Sequence, residues 1–210
     1  MEITWYGERC LRLKGREGTV AADAYRHLVG PTGRGLTADI ATYSHPDPSS
    51  SLPPTGLDSA KKLDSPGEYE VHDVLVTGVR TFRDDAHGAE RGPNVSFVYE
   101  LDGLHAIHLG DIGHLLTEDM LGEIGTVDVA CVPVGGTLTA ARAAELIAQL
   151  DVNLILPLPV TSNGGSSAAM ERFLHEMGVQ PPDPVARLTV TISSLPQETT
   201  LVVLEPRKQG

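Results

Sequence analysis

The hydrophobic pattern of this chain changes period near residue 110, and this change limits the folds that the chain can adopt. Before it, short runs rich in β-branched and aromatic residues are separated by Gly and Pro, which is typical of strands and turns. These runs are EITWY, CLRLK, TVAAD, DIATYS, VLVTGV, VSFVYEL and LHAIHL. Beyond it, apolar residues three and four positions apart predict helices over residues 115–124, 139–150 and 166–177. Two nearly continuous apolar runs, TVDVACVPV and VNLILPLPV, predict strands buried on both faces.

Strands first and strand–helix alternation later predict an α/β fold, namely a four-layer αββα sandwich of two mixed β-sheets flanked by helices. A length of 210 residues fits a single domain over residues 1–210. The dipeptide Asp102–Gly103, between two predicted strands, predicts a hairpin. Two proline-rich stretches, residues 46–66 and 178–187, are predicted to be irregular, the first as a functional loop and the second as a connection.

The charge of the chain excludes several classes of partner. The formal net charge is −12, and the acidic residues are spread along the chain. Because phosphate binding needs clustered Lys and Arg, we expect neither nucleic acid nor an anionic membrane surface as a partner. No long apolar run and no signal-like N-terminus are present, so we expect a cytoplasmic protein without a membrane span. Cys10 and Cys131 are expected to be reduced thiols in the core.

Seven segments, read in chain order, resemble the signature segments of one protein family. They are MEITWYGERCLRL, VAADAY, DIATYSHPD, SPGEYEV, FRDDAHGAERGPNVSFVYELDGLHAIHLGDIGH, GTVDVACVPVGGTLT and LILPLPVT. The family is the metallo-β-lactamase superfamily, specifically its small single-domain branch of Zn-dependent hydrolase-like proteins related to ascorbate-6-phosphate lactonase. The resemblance covers residues 1–161, and HLGDIGH and VPVGG are its most specific parts.

The resemblance implies an αββα sandwich with a metal centre at the edge where loops of both sheets meet. Two Zn ions there share a water molecule whose pKa is lowered. The resulting hydroxide attacks an ester, lactone or lactam carbonyl or a phosphoryl centre. Activity of this kind requires that the chain keep the metal ligands of the family.

This chain keeps only two of the seven ligand positions that the resemblance implies. His45 stands at the position of the first His, and Asp111 stands at the position of the bridging Asp. The other five positions hold Asp47, Ser49, Ser50, Arg83 and Pro159, in place of His, Asp, His, His and His. Glu8 stands where close relatives have a His beside the site.

His45, Asp47 and Asp111 remain as a possible set of three metal ligands. One His with two carboxylates is a weak set for Zn and suits harder ions better. We therefore expect a degenerate site without a dinuclear Zn centre and without a cofactor, in a protein that is non-catalytic or altered in activity. The alternative is a hydrolase of a small ester, lactone or phosphorylated metabolite that uses one Zn or Mn ion. A third possibility is a metal-free hydrolase with Ser49 or Ser50 as the nucleophile beside His45.

Arg83 is expected to replace the metal in its structural role. Its guanidinium, which stays protonated, would pair with Asp111 and with Asp47 or Glu8 at the former metal centre. The expected pocket consists of Glu8, His45, Asp47, Ser49, Ser50, Arg83, Asp84, Asp111 and Pro159.

Purely structural roles remain as alternatives for the same residues. His45 fits a structural histidine, Asp47 a turn residue, and Asp111 a helix cap. His108 and His114 are expected to brace the loop around Asp111, with a new metal site as the alternative. His87 would be the replacement ligand if a metal binds.

Two glycine-rich motifs and the partners complete the predictions. PVGG, residues 133–136, offers backbone N–H groups to an anion, whereas GGSS, residues 164–167, is expected to be a loop and helix cap. The expected partners are a small-molecule ligand and a second copy of the chain.

Overall fold

The apolar runs of the sequence form the strands of two sheets. The computed structural model describes residues 1–46, 53–160 and 166–207. The strands are β1 (Glu2–Gly7), β2 (Cys10–Lys14), β3 (Thr19–Ala22), β4 (Ile40–Thr42), β5 (Lys61–Leu63), β6 (Gly67–Val71), β7 (Val74–Phe82), β8 (Pro93–Leu101), β9 (Leu104–His108), β10 (Val129–Val134), β11 (Leu154–Pro159), β12 (Leu188–Thr189) and β13 (Thr200–Leu201). The α-helices are α1 (Arg26–Val29), α2 (Glu118–Ile124), α3 (Ala140–Leu150) and α4 (Ser166–Glu176).

Both sheets are mixed. The six-stranded sheet has the order β12-β1-β2-β3-β4-β5, with antiparallel pairing from β12 to β3 and parallel pairing from β3 to β5. The seven-stranded sheet has the order β13-β11-β10-β9-β8-β7-β6, antiparallel from β6 to β9 and parallel from β9 to β13. The predicted hairpin joins β8 and β9, with both Asp102 and Gly103 at positive φ.

Apolar side chains fill three spaces between the layers. Alternate residues of the facing strands, such as Leu11, Phe97 and Tyr99, form the core between the two sheets. A second core lies between the seven-stranded sheet and helices α2, α3 and α4. A third, with Tyr25 and Val29, covers the outer face of the six-stranded sheet. The predicted four-layer αββα sandwich of two mixed sheets is thus present, with the short helix α1 in one outer layer.

The predicted elements agree with the observed ones except at the sheet edges. The stretch 46–66, predicted to be irregular, contains β5, and β6 follows directly after it. That prediction was wrong for β5, because an edge strand needs only a backbone partner, here β4, and no apolar pattern. Strand β13, at the start of the C-terminal segment TLVVLEP, lies at the edge of the seven-stranded sheet.

Two further findings concern the cysteines and the helices as possible membrane spans. Cys10 and Cys131 are both buried in the core, as expected. Within residues 1–46, 53–160 and 166–207, each helix is too short or too polar to cross a bilayer.

Candidate functional site

Strand ends and turns of both sheets bring five charged or titratable residues to one edge of the sandwich. Arg9 lies in the turn between β1 and β2, Asp23 follows β3, and His45 follows β4. From the other sheet, Arg83 follows β7 and Asp111 follows β9. Side chains from both sheets therefore meet at the edge where the resemblance places the metal centre.

The carboxylate of Asp111 forms an ion pair with Arg83. Nε of Arg83 donates to Oδ2 of Asp111 at 2.8 Å, and Nη2 lies 2.7 Å from the same oxygen. Nη1 of Arg83 donates to the carbonyl oxygen of Arg91 at 3.1 Å. The Arg83 side chain is 30% exposed, whereas that of Asp111 is 6% exposed. The structure thus contains the expected ion pair, with its cation facing outward.

A second arginine, which the sequence analysis did not consider, pairs with the other oxygen of Asp111. Nη1 of Arg9 lies 3.6 Å from Oδ1 of Asp111, and Nε of Arg9 lies 3.5 Å from Oδ2 of Asp23. Burial lowers the pKa of Arg9, but the charges of Asp23 and Asp111 outweigh it and raise the pKa above its ordinary value. Arg9 is therefore a permanent cation inside the protein.

Asp23 is the innermost member of this group and is almost fully buried. Its Oδ1 accepts a hydrogen bond from the backbone N–H of Ser44 at 2.7 Å, and its Oδ2 accepts one from the Ser44 hydroxyl at 2.6 Å. Burial raises the pKa of Asp23, but the neighbouring His108, Arg9 and His45 and the Ser44 hydrogen bond outweigh it and lower the pKa. We call Asp23, Arg9, Asp111 and Arg83, which alternate in charge, the ion cluster.

His45 borders the ion cluster and is held by two hydroxyl groups. Its Nδ1 lies 3.2 Å from the hydroxyl of Tyr25 and 3.1 Å from the hydroxyl of Ser44. Burial lowers the pKa of His45; Asp23 and Asp111 raise it, and Arg9 and Arg83 lower it further. The net shift of the pKa is downward, so this environment favours the neutral imidazole.

His45 also lines a cavity on the outer side of the six-stranded sheet. The cavity has a volume of about 420 Å³, and its walls include Tyr25, Tyr43 and Leu57. Lys62, at its rim, lies 2.8 Å from Asp64 and stands over the ring of Tyr43. The cavity and the ion cluster are thus connected through His45.

Asp84, predicted to line the pocket, organises the loop that follows Arg83. Its carboxylate accepts four backbone hydrogen bonds, from the N–H groups of Ala86, Gly88, Glu90 and Arg91. The loop thereby brings the Arg91 carbonyl to the guanidinium of Arg83. Asp84 acts on the site through the loop conformation.

His108 and His114 lie where bracing residues are expected. Nε2 of His114 accepts from the N–H of Phe82, and its Nδ1 lies 2.6 Å from the carbonyl oxygen of Leu115. Nε2 of His108 lies 2.8 Å from the carbonyl oxygen of Arg9, which fixes the turn that carries this arginine. His87 is exposed, and its ring packs edge-on against Phe82. No described contact joins His87 to Asp111.

Glu8, Pro159 and three residues of the loop after His45 were also predicted to line the pocket. Glu8, at φ 51°, accepts a hydrogen bond from the indole of Trp5 on its carbonyl oxygen and contributes its charge to Arg9. Pro159 ends β11 and pairs with Val134, and no described contact joins it to the ion cluster. Asp47, Ser49 and Ser50 lie outside the described residues.

The two glycine-rich motifs also differ in their relation to the site. Gly136 of PVGG lies so near Asp111 that a Cβ on it would come within 3.4 Å of Oδ1. In GGSS, Gly164 and Gly165 lie outside the described residues, and α4 begins at Ser166. Anion binding by PVGG stays a prediction.

Among the residues that the structure describes, the donor set does not fit a metal ion. Both oxygens of Asp111 face guanidinium groups, and Nδ1 of His45 faces hydroxyls. Within the ranges that the structure describes, no three His, Cys, Asp or Glu side chains are grouped as metal ligands. The positions where cations would balance the carboxylates are taken by Arg83 and Arg9.

Sequence reasoning missed Arg9, Asp23 and Tyr25. Arg9 is adjacent to Glu8 in YGERC, and the other two lie in VAADAY, so all three are in segments that carry the resemblance. None of the three occupies one of the seven ligand positions, so comparison with those positions did not identify them. Charge at a strand end or turn was the signal that could have identified Arg9 and Asp23, whereas Tyr25 carries no such signal.

Three comparisons relate the chain to known proteins. A family model described as the beta-lactamase superfamily domain matches residues 2–159. A UPF0173 metal-dependent hydrolase of Methanosphaerula palustris is 26% identical over 186 residues, which cover 78% of this chain and 84% of that protein. A second, of Methanoregula boonei, is 27% identical over 184 residues, covering 78% and 82%.

A solved structure is similar over nearly the whole chain. It is a candidate Zn-dependent hydrolase of the metallo-β-lactamase superfamily from Thermotoga maritima, with 30% sequence identity, a TM-score of 0.74, and 97% coverage of both chains. The chain therefore belongs to the family of the beta-lactamase superfamily domain and has the metallo-β-lactamase fold.

Proposed function

We propose that this member of a metal-dependent hydrolase family works without a dinuclear metal centre, as a small-molecule-binding protein. The observation that carries this proposal is the double pairing of Asp111. One of its oxygens faces Arg83 at 2.7–2.8 Å, and the other faces Arg9 at 3.6 Å. A carboxylate with both oxygens against permanent cations is a poor bridge between metal ions.

The charge balance supports the same conclusion. Two guanidinium groups and two carboxylates make the ion cluster neutral, so its buried carboxylates need no further cation. An ion placed against Asp111 would lie close to a guanidinium. Even two unit charges at 4 Å repel by roughly 4 kcal/mol at an effective dielectric constant of about 20.

A second candidate is a hydrolase that uses one ion held by His45, Asp47 and Asp111. The observation that favours it is the description of the relatives in Methanosphaerula and Methanoregula as metal-dependent hydrolases. In this case a ligand from the segment between Pro46 and Pro53 would have to complete the set. Such an ion would act as a Lewis acid or activate a water molecule.

Metal analysis of the full chain tests both candidates. Protein purified without chelator, soaked in Zn²⁺ or Mn²⁺ and then dialysed, should contain substoichiometric metal by elemental analysis. One tightly held ion per chain, lost in His45→Ala and in Asp111→Ala, would contradict the proposal and favour the one-ion hydrolase.

Thermal unfolding gives a second readout from the same samples. A ligand at a hundred times its Kd stabilises a folded protein by about 2.7 kcal/mol, which shifts Tm by several degrees. We expect no shift in Tm between protein with excess Zn²⁺ and protein with chelator. A metal-dependent rise of several degrees would again contradict the proposal.

A further inference from the structure

The proton on His45 can be located by counting donors in its surroundings. The Tyr25 hydroxyl donates to the carbonyl oxygen of His45 at 2.7 Å. The Ser44 hydroxyl donates to Oδ2 of Asp23 at 2.6 Å. A hydroxyl group has a single proton, so neither group has a second one to offer to His45.

Both hydroxyls can therefore only accept from Nδ1 of His45. The distances, 3.2 Å to Tyr25 and 3.1 Å to Ser44, suit a shared hydrogen bond from one N–H. Nδ1 thus carries the hydrogen of the neutral imidazole. The other ring nitrogen, Nε2, is left with an unprotonated lone pair, which can only accept. No described residue donates to it.

His45, which carries this acceptor, lines a cavity whose walls are more apolar than polar. The volume of about 420 Å³ falls in the ordinary range for small-molecule sites, roughly 300–1,000 Å³. Tyr25 and Tyr43 meet edge to face with ring centroids 5.3 Å apart, and a ligand ring can add to such an arrangement. The lining also contains two basic and two acidic residues, Arg26, Lys62, Asp58 and Asp64, whose formal charges cancel, and Lys62 is paired with Asp64.

We propose that the cavity binds an uncharged, ring-bearing molecule whose hydroxyl or N–H group donates a hydrogen bond to Nε2 of His45. This inference rests on the proposed function, because a metal ion would use the same lone pair. The apolar walls and the balanced charges of the lining select an uncharged body, and the lone pair selects a donor over an acceptor. An ether or a carbonyl at the same place would leave Nε2 without its bond.

A pair of probes that differ only in the donor tests this proposal on the unaltered protein. The probes are 2-naphthol and 2-methoxynaphthalene, added to protein whose histidines are labelled with ¹⁵N. We expect the Nδ1–H tautomer for His45, a shift of its Nε2 resonance by 2-naphthol, and affinity at least tenfold weaker for 2-methoxynaphthalene. Equal affinity, binding of neither probe, or an Nε2–H tautomer would overturn the proposal.

Two variants and a metal titration complete the experiment. His45→Phe, which keeps a ring but removes the acceptor, should abolish the tenfold preference, and Lys62→Ala should retain it. Because the probes are compared on the unaltered chain, a poorly folded His45→Phe does not remove the test. Zn²⁺ alone should leave the Nε2 resonance in place. If Zn²⁺ shifts it and blocks 2-naphthol, the proposed function fails as well, whereas failure of the probes on metal-free protein overturns only this inference.

Discussion

Among single residues, Asp111 is the one on which the ion cluster depends. It is 4% exposed, its N–H donates to Oδ1 of Asn94, and its carboxylate separates the two guanidinium groups. If Asn replaced Asp111, the guanidinium groups of Arg9 and Arg83 would face each other across a neutral amide. Removing one partner of a buried ion pair leaves the other uncompensated, which costs several kcal/mol.

We predict that Asp111→Asn lowers the free energy of unfolding by about 3 kcal/mol, measured by urea denaturation. The matched control is Asp85→Asn, which removes an exposed carboxylate from Arg142. Exposed pairs contribute little, so this control should change stability much less. Equal losses in the two variants would show that the ion cluster has no special role in stability.

The site was predictable at residue level only as far as the family pattern reached. Arg83 and Asp111 occupy ligand positions of that pattern, and their pairing follows from opposite charge at neighbouring positions. Arg9 occupies no such position, and only its neighbour Glu8 was assigned to the pocket. At a turn, the backbone conformation sets the directions of adjacent side chains, and the positive φ of Glu8 was not readable from the sequence.

Among the structural elements, the loop after β7 determines where the Arg83 guanidinium lies. The carboxylate of Asp84 accepts hydrogen bonds from four backbone N–H groups of this loop. Burial raises the pKa of Asp84, but these donors outweigh it and lower the pKa below the ordinary value. The ionised form therefore stabilises the loop above about pH 4, the ordinary range for Asp, and this contribution is lost as the pH falls through the lowered pKa.

We predict that Asp84→Asn increases hydrogen exchange at the amides of Ala86, Gly88, Glu90 and Arg91. Asn has a single side-chain acceptor oxygen, so it cannot replace both carboxylate oxygens. The control Asp85→Asn, at the neighbouring exposed position, should leave these four amides protected. Unchanged exchange in Asp84→Asn would contradict this account of the loop.

The same loop packs against Gly113, where there is no room for a side chain. A Cβ on Gly113 would lie 2.2 Å from the carbonyl oxygen of Arg83 and 2.7 Å from the N of Asp84. We predict that Gly113→Ala destabilises the protein by about 1–3 kcal/mol and displaces Arg83, because backbone atoms must move. Urea denaturation measures the loss.

Gly122 provides the matched control for this substitution. It lies in α2, and a Cβ there would meet nothing within 4 Å. Ala is favoured over Gly in a helix, so Gly122→Ala should stabilise the protein by about 0.5–1 kcal/mol. A loss of stability in Gly122→Ala comparable to that in Gly113→Ala would contradict the packing explanation.

The periodicity of the sequence predicted the long elements and missed the edges. The long elements bury apolar faces, and this burial produces the apolar periodicity of their sequences. They are β7, β8, β10, α3 and α4. β5 and β6 have mainly exposed residues and are held by pairing with β4 and β7. Strand order and register also depend on contacts between distant segments, which local patterns do not specify.

Across the whole molecule, the dependence of stability on pH reflects the buried titratable groups. Burial lowers the pKa of His108, as it does that of His45. As the pH falls below about 6.5, the unfolded chain binds protons that the folded chain does not, so folding stability decreases. Asp23, with a lowered pKa, adds a further loss below about pH 4.

We predict that His108→Gln flattens the decrease in stability between pH 6.5 and pH 5. A difference of one bound proton between the unfolded and folded states changes the free energy of unfolding by at most about 1.4 kcal/mol per pH unit. The variant should lack the part of this change that His108 contributes. Gln offers an N–H for the carbonyl oxygen of Arg9 in place of Nε2. Urea denaturation at a series of pH values measures the slope, and identical slopes would contradict the assignment to His108.

The ion cluster joins the two sheets of the sandwich through Arg9, from the six-stranded sheet, and Asp111, from the seven-stranded one. Both of its cations are covalently part of the chain, so they are present at a fixed ratio in every molecule that is synthesised. They cannot be removed by dialysis or captured by a competing protein. If the protein works without a metal centre, as proposed, its folding should not depend on the supply of trace elements.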